Sequence, residues 1–595
     1  MRNTLKNHGW RTIFFAAFSL MALTPALAAT TYYVSPTGSD SSTGLTTLTP
    51  LKLIQTALTK TVTGDSIILE DGIYTGTGDV DLAITNKTLT IASQNGASKT
   101  VINCNGNVNT SHRGFLFTGS GSSTVTSKLQ GVTIENGVIN GSASTSVGGA
   151  ISCANSSLTL TSCSFVKNNA YLGGACANDA SSTITFSLCS FSSNSSGSAG
   201  GVASDNEGGK NIFVGCQFIG NSGNVIFNNK GTNSTTNCSF TNNNGEFSLG
   251  IIEESGADQI YGCHFTTNTG TPCIYANTTI TIDSSVFTGN TSGAISAYGG
   301  NSGLVRNCIF SKNSAPKGGA INNAGGYSLY LEYCSFNANT ASSFASGGAI
   351  YNADATLNLI DDILWGDSAP GSTGQEIDNE FGTTTVSYSD LQTGFAGTGN
   401  LKADPLFAGA ASGNLHVTAT SPCIKAGTPI SGLTKDLDGN ARPTKPTMGA
   451  YEGGSVWSPL SVRVSPNGNT ILLFGSLTNE AMLITVPASG TQTTKTYGPV
   501  AGTMAADLAL GSDNSQYIVW QDQADDGIVI WHVPVTGTTT VFNLKPTTTG
   551  WTEQSTTVTS DGHMHILWKS LTGEGMLWNV DATGKLVSST TYGPF

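Results

Sequence analysis

Charge is scarce in this chain of 595 residues: Asp, Glu, Lys and Arg together make up 11 % of it. The balance is acidic, formally −13, and no Lys/Arg cluster follows residue 11, so nucleic acid is not an expected partner. Long apolar runs are missing too. None approaches the roughly 18 residues of a membrane span. The twelve cysteines include no Cys-x-x-Cys and no His-paired spacing, so no zinc site is expected. No helix-forming run interrupts residues 148–351, which excludes alternating strand–helix folds. What the chain has in plenty is Gly, 73 residues, on a background of Ser, Thr and Asn. Apolar residues still make up 38 % and recur on a period, so a stacked β-solenoid with a polar skin fits better than disorder.

One phrase writes that period: Cys or Ser, any residue, Phe, two spacers, Asn. Its eight copies begin at Cys163, Cys189, Cys216, Cys238, Cys263, Ser285, Cys308 and Cys334, in steps of 22 to 27 residues. A drifting period in the low twenties marks a solenoid. The first residue and Phe lie two apart and share one strand face, while Ser, Gln, His, Val or Ile between them takes the other. The Asn falls in a turn, where αL geometry is tolerated. With one period per coil, equivalent residues repeat about every 4.8 Å. Phe then stacks on Phe, thiol on thiol, and the Asn amides form a ladder. The fold is all-β: a parallel β-helix, right-handed by the general rule for parallel crossovers.

A second phrase precedes the first by about ten residues in several coils. It reads Gly148-Gly149-Ala150-Ile151, Gly173-Gly174-Ala175-Cys176, Gly200-Gly201-Val202-Ala203, Gly318-Gly319-Ala320-Ile321 and Gly347-Gly348-Ala349-Ile350. Paired glycines make a sharp corner with positive φ before a short inward strand. Middle coils, as at Gly223-Asn-Val225-Ile226 and Gly250-Ile251-Ile252, lose the pair. Over residues 148–351 the two phrases resemble the repeats of polymorphic outer-membrane proteins, β-helices of the pectin-lyase-like class. The resemblance implies adhesion.

The first 28 residues read as a secretory signal: basic Arg2, Lys6 and Arg11, a short apolar stretch, and Ala26-Leu27-Ala28 for cleavage. The mature chain is therefore expected to be secreted or held at the cell surface, without a membrane span. Residues 29–75 read as an N-terminal cap and 76–454 as the β-helix. Within the cap, Leu51, Ile54 and Leu58 have helical spacing, and Asp71-Gly72-Ile73-Tyr74 closes a hairpin-like step. The cap resembles the start of secreted β-helix proteins, some of them polysaccharide lyases. At the far end stand Asp404-Pro405-Leu406-Phe407, Ser421-Pro422-Cys423-Ile424, Asp436-Leu-Asp438-Gly439-Asn440 with Arg442, and Gly449-Ala450-Tyr451-Glu452. These resemble the closing module of choice-of-anchor β-helix proteins. Seven cysteines share one coil position, so an inward column of free thiols is expected rather than disulfides.

From residue 455 the vocabulary changes, and six of the eight tryptophans lie beyond it. A repeat of about 47 residues aligns Trp457, Met504 and Trp551; Phe474, Trp520 and Trp568; and Ile484, Trp531 and Trp578. Three four-stranded units fit a β-trefoil, which closes with three; propeller blades read similarly but need at least four. Exposed aromatics of either architecture suit sugars. The terminal Phe595 carries no barrel reading, since the strands are too few.

Hydrolases of the pectin-lyase-like class need acids on one face. The sole adjacent aspartate pair in the helix is Asp361-Asp362, with Asp367 five residues on. Arg306, Lys312 and Lys317 lie along two coils with no acid cluster evident beside them, and His264 takes an outward slot without a His partner. Asp436, Asp438 and Arg442 read as a charge-assisted turn. Acids of the cap such as Asp40 are able to hold calcium but read as turn acids. No catalytic, cofactor or metal residue is therefore assigned. The expected function is a non-catalytic, adhesin-like monomer binding glycans or other surfaces. The alternative is a lyase or hydrolase of uronate-rich polysaccharides, acting through Asp361, Asp362 or the cap acids.

Overall fold

The computed structural model describes residues 28–593, except 121–124, 142–145, 200–202, 206–207, 229, 246–257, 345, 372–375, 454–456, 477–479, 488–491, 499, 501–502, 523–526, 546–550 and 571–573. The signal segment to residue 27, the glycine phrases at 200–202 and 250–252, and Phe595 lie outside the described residues.

Three parallel faces wind into a β-helix. The first is a 14-stranded sheet from Thr31–Val34 to Thr383–Ser387, the second a 13-stranded sheet from Gly72–Thr75 to Asp390–Leu391. The third comes in two stretches, six strands from Leu82–Thr85 to Ile226–Asn228 and five from Ile274–Ala276 to Ile377–Glu380. The cap is the first coil itself. Thr31–Val34 and Ser66–Leu69 open the first sheet, and Gly72–Thr75 pairs in parallel with Thr100–Asn103 rather than closing a hairpin. The short helix Ile54–Lys60 buries Ile54, Ala57 and Leu58 over the open end; Leu51 precedes it, bridged to Val34.

The phrase strands form the second face, where Phe165 pairs with Phe191 and Phe191 with Phe218. From Phe165 to Phe336 the rings stack at 4.5–5.0 Å between centroids and are fully buried. Beside them runs the amide ladder. Each Nδ2, from Asn168 through Asn313, donates to Oδ1 of the next Asn at 2.8–3.1 Å. The αL residue is the one before the Asn, as at Lys167, Ser193 and Lys312. That kink turns the amide inward, so the ladder Asn is a core residue and not the turn residue expected. The glycine pair divides its work. Gly148 takes φ +67, while a Cβ on Gly149 would meet the Gly174 carbonyl of the next coil at 2.1 Å.

All twelve cysteines are buried and free. Column thiols donate to backbone carbonyls, as Cys163 to Leu129 at 3.4 Å. Alkylation should therefore label all twelve thiols under denaturant and none natively; mass spectrometry showing paired cysteines would contradict the column.

The closing module does not cap the last coil. It folds back as a strap along the outside of the second face. Ala450 N–H donates to Ser335 Oγ, Gly449 N–H to the Asp361 carbonyl, and Arg442 to Asn307 Oδ1. Leu415 and Ala450 bury Ile309, and Val417, Cys423 and Met448 bury Ile363.

Beyond residue 456 stand three four-stranded antiparallel sheets: Trp457–Tyr497, Thr503–Leu544 and Trp551–Tyr592. A trefoil would pair strands between repeats. Among the described residues each sheet is built from one repeat alone, so these are propeller-like blades, here numbered 1 to 3. Strand register places Trp457, Thr503 and Trp551 at one position, opposite Ser476, Asp522 and Ser570. The second member is thus Thr503, not Met504. Ile471 and Leu473 of blade 1 pack on Ile518 and Trp520 of blade 2; Val519 and Ile530 of blade 2 pack on Ile566 and Trp568 of blade 3.

Candidate functional site

Of the acids singled out in the sequence, Asp362 and Asp367 lie inside the coil and Asp361 lies between the coil and the strap. Asp362-Ile-Leu364…Asp367 is a ninth copy of the phrase, with carboxyls in the thiol and amide columns. Asp362 is fully buried; Oδ1 accepts the Cys334 N–H at 2.6 Å, as Ser285 Oγ accepts that of Cys263 at 3.1 Å. Burial pushes its carboxyl well above the ordinary range. Asp361 holds φ +63, and its Oδ1 accepts the Thr428 N–H of the strap at 2.8 Å. Burial pushes that carboxyl up to about 7. The cap acids also serve backbone donors: Asp40 holds Lys52 and Leu53, Asp79 holds Ile54, and Asp65 holds Thr30 and Val62. Among the described residues no three metal-ligating side chains converge.

The basic residues divide. Arg306 pairs with Asp283 at 2.8 Å beside Glu332, so acids do stand with it. Lys312 donates to the Ala411 carbonyl of the strap at 2.6 Å. Arg442 lies 3.7 Å over the Tyr333 ring and pairs with Glu452 at 2.8 Å. Asp436 accepts from Asn440 and the Glu452 N–H, while Asp438 pairs with His416 at 2.8 Å. His264 is exposed on the second face.

Lys317 reaches an open groove. It leaves the turn before the glycine corner at Gly318 and lies over the third face. There Ile350 and Asn352 point inward and Tyr351 outward, by strand alternation. Tyr351 is paired with Asp378 in the next coil, and Glu380 follows two residues on, facing the same way. Lys317 Nζ sits 4.1 Å over the Tyr351 ring, donates to its hydroxyl at 2.6 Å, and lies 3.7 Å from Glu380. The hydroxyl in turn donates to Glu380 Oε2. Tyr351 and Lys317 hold the Glu380 carboxyl below its usual range. Burial, reinforced by Glu380, pushes that of Asp378 up.

The concavity here measures about 730 Å³. Phe344, 76 % exposed, and Phe381, 87 % exposed, stand in its wall. Gly371, at φ +75, leaves room for the Phe344 ring: a Cβ there would meet Cε2 of that ring. A second hollow of about 260 Å³ shares Lys317 and continues past Asn322 and Ser296. The five strands beneath repeat at about 4.8 Å, so the face runs for about 19 Å along the axis. Tyr351, Asp378, Glu380, Phe344 and Phe381 were missed in the sequence. The available signal was the aromatic directly after Gly-Gly-Ala-Ile at 351, where the other corners place Ser152, Ala177 or Asn322.

No family model matches the chain, and no curated protein does. Solved structures that it resembles include pectate lyase Pel9A, at 12 % identity, 71 % of this chain, 96 % of that chain and a TM-score of 0.31. XylC in complex with xylose is 10 % identical over 71 % of this chain and 98 % of that one, TM-score 0.37. The catalytic domain of a GH87 α-1,3-glucanase is 11 % identical over 54 % and 63 %, TM-score 0.34. No helix among the described residues is long and apolar enough to cross a membrane.

Proposed function

We propose that the Lys317–Tyr351–Glu380 groove is the ligand site, and that this is an exported, surface-exposed β-helix protein that binds polysaccharide along it. One observation carries the reading: a cation, a phenol and two carboxyls share an open groove with two exposed phenylalanines. Sugars use that combination, hydroxyls on the polar groups and ring faces on aromatics. Lys317→Met and Phe344→Ala should each weaken binding in an affinity-gel panel of acidic and neutral polysaccharides by about tenfold, near 1.4 kcal/mol. Thermal stability should stay unchanged. Wild-type binding by both variants would remove the groove from consideration.

A second reading rests on the two carboxyls. Asp378 is pushed up and Glu380 held down, the division of labour of a proton donor and a base. They stand two residues apart on one strand, about 7 Å between Cα atoms. Release of reducing ends that is lost in both Asp378→Asn and Glu380→Gln would make the protein a glycoside hydrolase. Binding without any release keeps it a lectin-like module.

A further inference from the structure

Blade 1 shows solvent the same face that blades 2 and 3 bury. That face carries Val462, Leu472, Phe474, Met482, Ile484 and Val486, flanked by Thr470, Thr494 and Thr496. Its counterparts in blade 2 include Leu508, Ile518 and Trp520, each 0 % exposed beneath blade 1. Those in blade 3 include Ile566, Trp568 and Val580, again 0 % exposed, beneath blade 2. In blade 1, Val462 is 56 % and Val486 38 % exposed, and the four between them are half-buried. The opposite kind of face is free on blade 3. Leu567 is 41 % exposed there, where its counterpart Val519 in blade 2 is 0 % exposed. His565, Lys569 and Asn579 ring Leu567 and Leu577, as Gln521 and His532 ring Val519 and Ile530 in blade 2.

We infer that two copies of this chain close head to tail, blade 1 of each on blade 3 of the other, into one six-bladed ring. Propellers close with four to eight blades and not with three. The new seam continues the two seams already present, each joining the same two kinds of face in the same order. A two-fold pair makes that seam twice, which satisfies both free faces of both copies at once and leaves no open end for further growth. A partner of another kind would have to reproduce a blade face. It differs from the single-chain expectation of the sequence, and it is independent of the polysaccharide groove.

Sedimentation of the full chain at about 10 µM tests it. The wild type should run at twice the mass of one chain. Phe474→Glu on blade 1 and Leu567→Glu on blade 3 should each halve that mass, with unchanged circular dichroism because both sites face solvent within one copy. A wild type of single-chain mass overturns the inference. So does dissociation by Phe474→Glu alone, which would mean that blade 1 meets another blade 1, and so does a series of larger species, which would mean that the contact does not close.

Discussion

Asn243→Ala should remove on the order of 4 kcal/mol from the β-helix, read as a lower urea midpoint. The Asn243 Oδ1 accepts from both the N–H and the Nδ2 of Asn221 at 3.0 Å. Its Nδ2 donates to the Phe218 carbonyl at 3.0 Å and to Asn268 Oδ1 at 3.1 Å. Alanine strands these groups where water does not reach, and each unsatisfied buried group costs about 1–3 kcal/mol. Coils contact only their neighbours, so the damage falls on one interface of a quasi-one-dimensional stack. Proteolysis should then open the chain near that coil first. A loss under about 1 kcal/mol would show that the ladder contributes little beyond ordinary turns.

Asp367→Asn should remove one share of a fall in stability with rising pH. The ladder ends at Asp367, whose Oδ1 accepts from Asn339 Nδ2 at 2.8 Å and from its N–H at 2.7 Å. Oδ2 is buried without a partner. Elsewhere the second amide hydrogen reaches a Phe carbonyl one coil back, as Asn339 reaches Phe310 at 2.9 Å. A protonated Asp367 imitates that donor toward Phe336, and an ionised one cannot. Burial pushes its carboxyl up to about 8, with the Glu376 charge adding to the shift. The folded state therefore keeps a proton that the unfolded chain releases near pH 4. Its stabilising share is whole below that pH and is lost as pH rises through about 8. Asparagine supplies the donor at every pH. Wild type and variant should match near pH 4 and separate by a few kcal/mol at pH 9. Asp361, Asp362 and Glu376 are shifted the same way, so the difference between the two proteins isolates Asp367. Superimposable pH profiles would refute this.

The coil was legible because Phe and Asn recur with nearly the same partners each time, and stacking demands identity at those two positions. The ninth copy was not, since Asp, Leu and Asp replace Cys, Phe and Asn together, and only the hydrogen-bonding roles persist. Its Asp362 consequently read as half of an adjacent pair with Asp361 and not as a column residue. The strap had a signal that was passed over. The outward slot reads Ser164, Ser190, Gln217, Ser239 and His264, then Val286, Ile309, Ser335 and Ile363, and the three apolar members require a cover. The groove was hidden by distance: Lys317, Tyr351 and Glu380 come from successive coils, and a period says which residues stack, not which outward side chains meet. For the C-terminal units three repeats favoured a trefoil, and only strand pairing, with each sheet drawn from one repeat, showed separate blades.

Every amide in the Asn column, from Asn168 to Asn339, sends one hydrogen to the oxygen of the next, C-terminal coil. Eight small dipoles thus add head to tail. The column has a positive pole at Asp367 and a negative pole at Asn168, whose Oδ1 accepts the Gly137 N–H at 2.8 Å. Whole turns of the spiral are interchangeable between those poles, so duplication or deletion of a turn leaves both terminators in place. Length is the property this architecture leaves free to vary, and polarity the one it holds constant.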